Sequence, residues 1–164
     1  MREPAFSPDG NEIVFEGRVG HTPHVFTVPA TGGETTDVTG ALGFATAPDY
    51  SPDGERLTIA APDPDAGGTT AIWTISTSGA RAIPVARPSG AYGIYLDDPT
   101  FSPSGKSIAF VSDAPGMSPE IGLTKVGSDS IASPFATQPA TYGSPPGSRR
   151  RSAATDGAER LRPR

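Results

Sequence analysis

Hydrophobic residues alternate with small or β-branched ones in three short stretches spaced along the chain. The alternating pairs are Ile13 and Phe15, Leu57 and Ile59, and Ile108 and Phe110. Period-two spacing places each pair on one face of a β-strand. The residues between them, Val14, Thr58 and Ala109, also suit a packed surface. The pattern therefore predicts three strands whose sheets are covered on both faces.

A seven-residue motif precedes each of these strands. It reads PAFSPDG at 4–10, PDYSPDG at 48–54 and PTFSPSG at 99–105, so its glycines lie 44 residues apart (10 to 54) and then 51 residues apart (54 to 105). Proline presets φ for a turn, Asp or Ser caps the turn, and glycine supplies the left-handed conformation that closes it. The motif predicts a tight hairpin. Its structural turn residues are Pro8, Asp9 and Gly10, Pro52, Asp53 and Gly54, and Pro103, Ser104 and Gly105.

A further strand follows each hairpin after a loop. The sequences VFTV at 25–28 and IWTI at 72–75 match, and IGLT at 121–124 has glycine where the others have an aromatic ring. Candidates for a fourth strand follow near 34–39, 81–86 and 130–135. Four strands in about 45 residues are typical of one propeller blade.

This combination of motif and strands resembles the TolB-type β-propeller repeat, which is related to WD40-like repeats. Similar repeats form the noncatalytic propellers of prolyl-oligopeptidase-like peptidases. The resemblance covers roughly residues 4–136. It implies an all-β partial propeller of about three four-stranded antiparallel blades, near 4–40, 48–87 and 99–136, in one domain spanning 1–136. It implies no particular activity, because such blades serve many roles.

Proteins of this type usually close into a ring of six or more blades, and three are visible here. We expect the chain to be a fragment or a truncated reading frame, or to associate with itself through its uncovered blade faces. We therefore expect that it is not a well-behaved monomer. Residues 137–164 are dominated by Ser, Pro, Gly, Ala and Arg and hold few large apolar side chains, which predicts a disordered tail.

Composition narrows the possible functions. Residues 1–148 carry 7 basic and 16 acidic side chains, whereas 149–164 carry 6 Arg and 2 acidic ones. An acidic body disfavours nucleic acid as a partner, and the basic end is typical of a solvated tail, with a nucleic-acid patch or a kinase-type site at Arg149–Ser152 as alternatives. No apolar run is long enough to span a membrane. No signal peptide is visible, so the compartment stays open: periplasmic if a lost N-terminus carried a signal, otherwise cytoplasmic.

Four residues before the third turn form a possible partner-binding loop. Tyr92, Tyr95, Asp97 and Asp98 fall in the connection that lengthens the second repeat spacing. Loops that join blades lie at the ligand-binding end of a propeller, and aromatic and acidic groups together suit a basic or peptide partner. An ordinary surface loop is the alternative.

The remaining candidates for chemistry are weaker, and we predict no catalytic, cofactor-binding or metal-binding residue. His21 and His24 lack a third zinc ligand in the pattern. The acidic stretch from Asp63 to Gly68 resembles a calcium loop, but its twelfth position is Thr74, so an exposed hairpin loop is expected. No nucleophile, phosphate or dinucleotide motif is present.

Three functional hypotheses follow. The first is a non-catalytic module for protein binding or scaffolding, without cofactor. The second, implied by the resemblance, is a piece of the gating propeller of a serine peptidase. The third is a small-molecule hydrolase of propeller form with a metal in its channel.

Overall fold

Three antiparallel sheets follow one another along the chain, one for each copy of the motif. The computed structural model describes residues 2–40, 42–67, 69–78, 82–88, 93–127 and 130–131. The predicted tail at 137–164 lies outside the described residues. The strands are β1 (Arg2–Phe6), β2 (Glu12–Val19), β3 (Thr22–Pro29), β4 (Thr36–Asp37), β5 (Thr46–Tyr50), β6 (Arg56–Pro62), β7 (Thr70–Ser76), β8 (Ile83–Arg87), β9 (Tyr95–Phe101), β10 (Ser107–Asp113), β11 (Glu120–Lys125) and β12 (Ser130–Ile131).

Each sheet is a blade in which sequential strands lie side by side. The first blade has the order β1-β2-β3-β4, and the second has β5-β6-β7-β8. The third blade contains β9, β10 and β11 within the described ranges. The predicted all-β architecture of about three antiparallel blades is therefore confirmed. The described part contains no helix long and apolar enough to cross a membrane.

The expected fourth strand of the third blade differs from the prediction. Ser130 and Ile131 form β12, which pairs in parallel with β8 of the second blade. The Oγ1 of Thr124 donates a hydrogen bond to the carbonyl oxygen of Val85 over 2.8 Å, which holds the end of β11 beside β8. The chain that leaves β11 thus meets the open edge of the second blade.

Two hydrophobic cores join the blades face to face. The core between the first and second blades includes Val14, Val25, Leu57, Ile59, Trp73 and Ile75. The core between the second and third includes Ala60, Ile72, Leu96, Phe101, Ile108 and Phe110. Neighbouring residues of β6 enter different cores, because successive side chains of a strand point to opposite faces. The second blade is therefore covered on both sides, as the alternating pattern predicted.

The repeat fixes which positions face which neighbour. Side chains three and five residues after the turn glycine face the preceding blade: Leu57 and Ile59 pack on the first blade, and Ile108 and Phe110 pack on the second. The same positions of the first blade are Ile13 and Phe15. They are only half-buried, since no described blade precedes them.

Candidate functional site

The repeated turns have nearly identical local geometry in the first two copies. The Oγ of Ser7 donates to Oδ1 of Asp9 over 2.6 Å, and that of Ser51 donates to Asp53 over 2.5 Å. These hydroxyl groups hold the pKa of both carboxyl groups below the ordinary value. In the third copy Ser102 and Ser104 place their hydroxyl oxygens 3.2 Å apart. The motif thus organises its own turn.

The turns of successive blades also contact one another. A Cβ placed on Gly54 would lie 3.6 Å from the Cδ atom of Pro8, and one on Gly105 would lie 3.6 Å from the Cδ atom of Pro52. The proline of each turn therefore rests on the glycine of the next blade. Gly10 has no described heavy atom within 4 Å of that position. This repeated contact marks one rim of the blade stack.

The predicted partner-binding residues lie on a strand rather than in a loop. Tyr95, Asp97 and Asp98 belong to β9, the first strand of the third blade, and Tyr92 lies outside the described residues. The prediction of a loop was wrong because Leu96 and Phe101 are buried against the second blade and draw this segment into the sheet. The side chains of Tyr95, Asp97 and Asp98 remain exposed.

Asp97 lies beside apolar neighbours on the open face of the third blade. It is the cross-strand partner of Val111, which in turn pairs with Ile121. Although the residue as a whole is exposed, the packing around its carboxyl group removes water and raises its pKa, and the charge of Asp98 acts in the same direction. A positively charged partner would stabilise the ionised form of a carboxyl group in such a place.

A strained backbone position recurs in the first strand of every blade. Glu3, Ala47 and Asp98 have φ of 52°, 51° and 47°, and each directly precedes the first proline of the motif. The pairing register of each first strand shifts at this point. A left-handed conformation is costly for residues other than glycine, so three copies indicate a built-in bulge. The sequence does not indicate this bulge, because none of the three residues is a glycine.

The two histidines do not form a common site. His24 lies in β3, and its Nδ1 is 2.8 Å from Oδ2 of Asp37 in β4. Asp37 also accepts hydrogen bonds from the amide and hydroxyl groups of Thr39, whose Oγ1 accepts one from the amide of Val25. His21 is exposed in the preceding turn. His24 therefore helps to attach β4 to the blade.

The acidic loop after β6 is organised by an ion pair. Asp63 is fully buried and accepts a hydrogen bond from the amide of Asp65, at the start of a 3-10 turn at Pro64–Ala66. Nη1 of Arg87 lies 3.0 Å and 2.9 Å from the two carboxylate oxygens of Asp63. The loop joins the hairpin strands β6 and β7, as expected, but the side chain of Asp63 is buried rather than exposed. The described residues contain no group of three or more His, Asp or Glu side chains placed to hold a metal.

Comparison with known proteins supports the repeat architecture. The family model described as the TolB β-propeller domain matches residues 1–146. An uncharacterized protein of Agrobacterium fabrum is 29% identical over 107 residues, which are 65% of this chain and 34% of that protein. The chain thus spans about a third of the length of the curated relative that it matches.

Three solved structures show the same fold at low identity. TolB from Acinetobacter baumannii superimposes with a TM-score of 0.60 and 21% identity, over 80% of this chain and 31% of that one. A putative TolB from Agrobacterium tumefaciens gives a TM-score of 0.65 and 21% identity, over 79% of this chain and 46% of that one. A structure from a study of two prolyl endopeptidases gives 0.58 at 16% identity, over 80% of this chain and 21% of that one.

Proposed function

Because this chain belongs to the TolB β-propeller domain family, we propose that it is a non-catalytic module that binds a protein or peptide partner. The observation that carries the proposal is the exposed group of Tyr95, Asp97 and Asp98 on β9. These three side chains are exposed on the first strand of the third blade, so a partner can reach them. Tyrosine is enriched at protein interfaces, where its ring supplies contact area and its hydroxyl a hydrogen bond.

The charge of this surface favours a basic segment of the partner. Residues 1–148 carry 16 acidic and 7 basic side chains, which steers cations towards the body and repels nucleic acid and anionic membranes. A lysine or arginine beside Asp97 would also restore the solvation that its carboxyl group loses through packing. Such a contact contributes more to the free energy of binding than an ion pair between fully exposed groups does.

The backbone holds the two carboxyl groups in place before binding. Leu96 on one side of them and Phe101 on the other are buried in the core with the second blade. The bulge at Asp98 lies between these anchors, with φ of 47°. A group fixed in this manner loses little conformational entropy when a partner binds.

Peptide binding by the full chain tests the proposal. Fluorescence anisotropy compares a labelled peptide rich in Lys, Arg and aromatic residues with a matched peptide in which Glu replaces the basic residues. The variant Asp97→Asn with Asp98→Asn should bind the basic peptide about tenfold more weakly, as expected for a contact that matters at an interface. Asparagine tolerates the left-handed backbone at position 98.

The control removes the same charge elsewhere. Glu34→Gln with Glu55→Gln also deletes two exposed carboxylates, and it should leave the affinity nearly unchanged. Equal weakening by both double variants would reduce the effect to net charge and contradict the proposed site. Equal affinity of the wild type for the basic and acidic peptides would contradict the proposal as a whole.

A second candidate is a piece of the noncatalytic gating propeller of a prolyl-oligopeptidase-like serine peptidase. It is supported by the fold shared with the structure from the study of two prolyl endopeptidases. The adjacent genomic sequence distinguishes the two functions. A downstream α/β-hydrolase domain with a G-x-S-x-G motif would favour the peptidase, and its absence would favour the binding module.

A further inference from the structure

The open face of the first blade carries an aromatic ring that is buried in the other two blades. Phe6, Tyr50 and Phe101 occupy the same position of the motif. Phe6 is 66% exposed, whereas Tyr50 is 6% and Phe101 is 8% exposed. Tyr50 packs in the core with the first blade and Phe101 in the core with the second. Phe6 is therefore an interface residue that lacks its neighbour.

The rest of this face matches the buried faces as well. Ile13, Phe15, Phe26 and Val28 stand at the positions that Leu57, Ile59, Trp73 and Ile75 fill in the second blade. The rings of Phe15 and Phe26 stack with centroids 5.8 Å apart. A continuous apolar face of this kind marks an interaction surface.

The third blade has the complementary open face. Ile121 and Leu123 are 49% and 50% exposed, and Val111 and Ala109 lie beside them as cross-strand partners. In the first blade the matching positions hold Val25, Thr27, Glu16 and Val14, which are all buried against the second blade. In the first and second blades, the matching face packs on the following blade.

We propose that two copies of this chain assemble head to tail, the first blade of each packing on the third blade of the other. Phe6 then occupies the place that Tyr50 and Phe101 occupy within the chain, and Pro103 rests on Gly10 as Pro52 rests on Gly105. Two copies supply six blades, a number at which propellers close. The contact joins unlike faces, and closure after two copies prevents open fibres.

A hydrogen bond between blades has its counterpart in this arrangement. Oδ2 of Asp49 accepts from the amide of Phe101 over 3.0 Å and from Oγ1 of Thr100 over 2.9 Å. In the third blade the position of Asp49 is taken by Thr100, and the amide that matches Phe101 belongs to Phe6 of the second copy. The hydroxyl oxygen of Thr100 has a lone pair with which to accept that hydrogen bond.

The inference goes beyond the proposed function, because it concerns assembly and requires no peptide partner. Because Asp97 shares the open face of the third blade with Val111, a second copy and a peptide would compete for it. The Phe6→Glu chain, which should not assemble but keeps Asp97, therefore measures peptide binding separately from assembly.

Light scattering coupled to size exclusion tests the assembly on the full chain. The wild type should have about twice the chain mass of 16.8 kDa. Phe6→Glu places a charge in one face and Leu123→Lys in the other, and each should raise the dissociation constant about tenfold or more. Ile83→Glu is the control, since Ile83 is exposed on the outer strand of the second blade. Near-ultraviolet circular dichroism of Trp73 shows whether each variant is folded.

Mixing the two dissociated variants gives the sharpest result. A pair made of one Phe6→Glu chain and one Leu123→Lys chain has one wild-type contact, while the other contact sets Glu against Lys. The mixture should therefore regain the doubled mass that neither variant has alone. A folded wild type that stays at 16.8 kDa would overturn the proposal. So would a dimer that Leu123→Lys leaves intact, since like faces would then be joined, or a mass that keeps growing with concentration.

Discussion

The first and second blades carry the same motif but differ in what covers it. In the second blade Tyr50, Leu57 and Ile59 are buried against the first blade, and Ala60 and Ile72 are buried against the third. In the first blade the matching residues are less buried: Ile13 and Phe15 are half-buried and Phe6 is exposed. The motif therefore specifies which side chains are available for packing. Whether they are buried depends on a preceding blade that packs on them.

This difference implies a gradient of stability along the stack. The second blade contributes to both cores, and it also contains the ion pair of Arg87 with the buried Asp63. The first and third blades each contribute to one core. Repeat proteins gain much of their stability from the interfaces between neighbours, so the middle blade should resist unfolding longest. The predictions below change matched positions in covered and open blades.

The largest difference in the free energy of unfolding is expected between alanine variants of the matched aromatic residues Tyr50 and Phe6. Tyr50→Ala should lower the free energy of unfolding by about 3 kcal/mol, because it opens a cavity in the core between two blades. Phe6→Ala should change it by less than about 0.5 kcal/mol in the dissociated chain, because the ring is exposed. Urea unfolding followed by Trp73 fluorescence at low protein concentration measures both. Similar losses for the two variants would contradict the comparison.

A smaller difference in stability is expected between alanine substitutions of two glycines that lie under aromatic rings. A Cβ on Gly122 would overlap the ring of Phe110, which is buried, and one on Gly17 would approach the ring of Phe26 to 2.7 Å. Gly122→Ala should cost about 1–3 kcal/mol, as overpacking does. Gly17→Ala should cost less, because the half-buried Phe26 can move towards solvent.

A double variant shows whether the cost comes from the ring. Ile59 stands in the second blade where Phe110 stands in the third, so Phe110→Ile is a substitution that the repeat already uses. Combined with Gly122→Ala, it should be more stable than the sum of the two single losses predicts. Strictly additive losses would show that Phe110 and Gly122 do not share one space.

The blade architecture could be predicted because its signals are local and repeated. The hairpin at Pro52–Gly54 and the alternation of Leu57 and Ile59 each depend on neighbouring residues. The three copies of the motif then define the length of the repeat. The pairing of β12 with β8 could not be predicted in this way, since it joins strands from different repeats that are distant in the sequence.

The candidate site could be predicted only in part, because only part of its signal is local. Tyr95, Asp97 and Asp98 stood out by residue type, but their place on β9 is decided by the burial of Leu96 and Phe101, a tertiary effect. The left-handed backbone at Asp98 left no local signal other than the proline that follows. Likewise, nothing in the stretch around Asp63 indicated that Arg87 would pair with it.

The third turn offers a gain of stability. Ser104→Asp should create the hydrogen bond that Asp53 makes with Ser51, and it should add up to about 1 kcal/mol, the contribution of one net hydrogen bond. Because the turn lowers the pKa of such a carboxyl group below 3.8, the gain should be present above that pH and lost as the pH falls from it through the lowered pKa. Urea midpoints at neutral and acidic pH measure it, and Ser104→Asn, which cannot ionise, is the control. A gain that persists in acid would contradict the mechanism.

The smallest effect at neutral pH is expected from the hydroxyl group of Tyr50. It lies 3.4 Å from Oε2 of Glu12, a long hydrogen bond, so Tyr50→Phe should cost only about 0.5 kcal/mol, and the phenylalanine at the matched position 101 shows that the ring alone fits. Burial first, and then the charge of Glu12, raise the pKa of Tyr50 from 10.0 to about 12.

The folded chain therefore keeps this proton where the unfolded chain releases it, and the wild type should lose stability as the pH rises from about 10 to about 12. Tyr50→Phe should lose less over that range, whereas Tyr95→Phe, the same change at an exposed site, should follow the wild type. If all three chains lost stability equally, Tyr50 would not be the group that links the interface between the blades to alkaline pH.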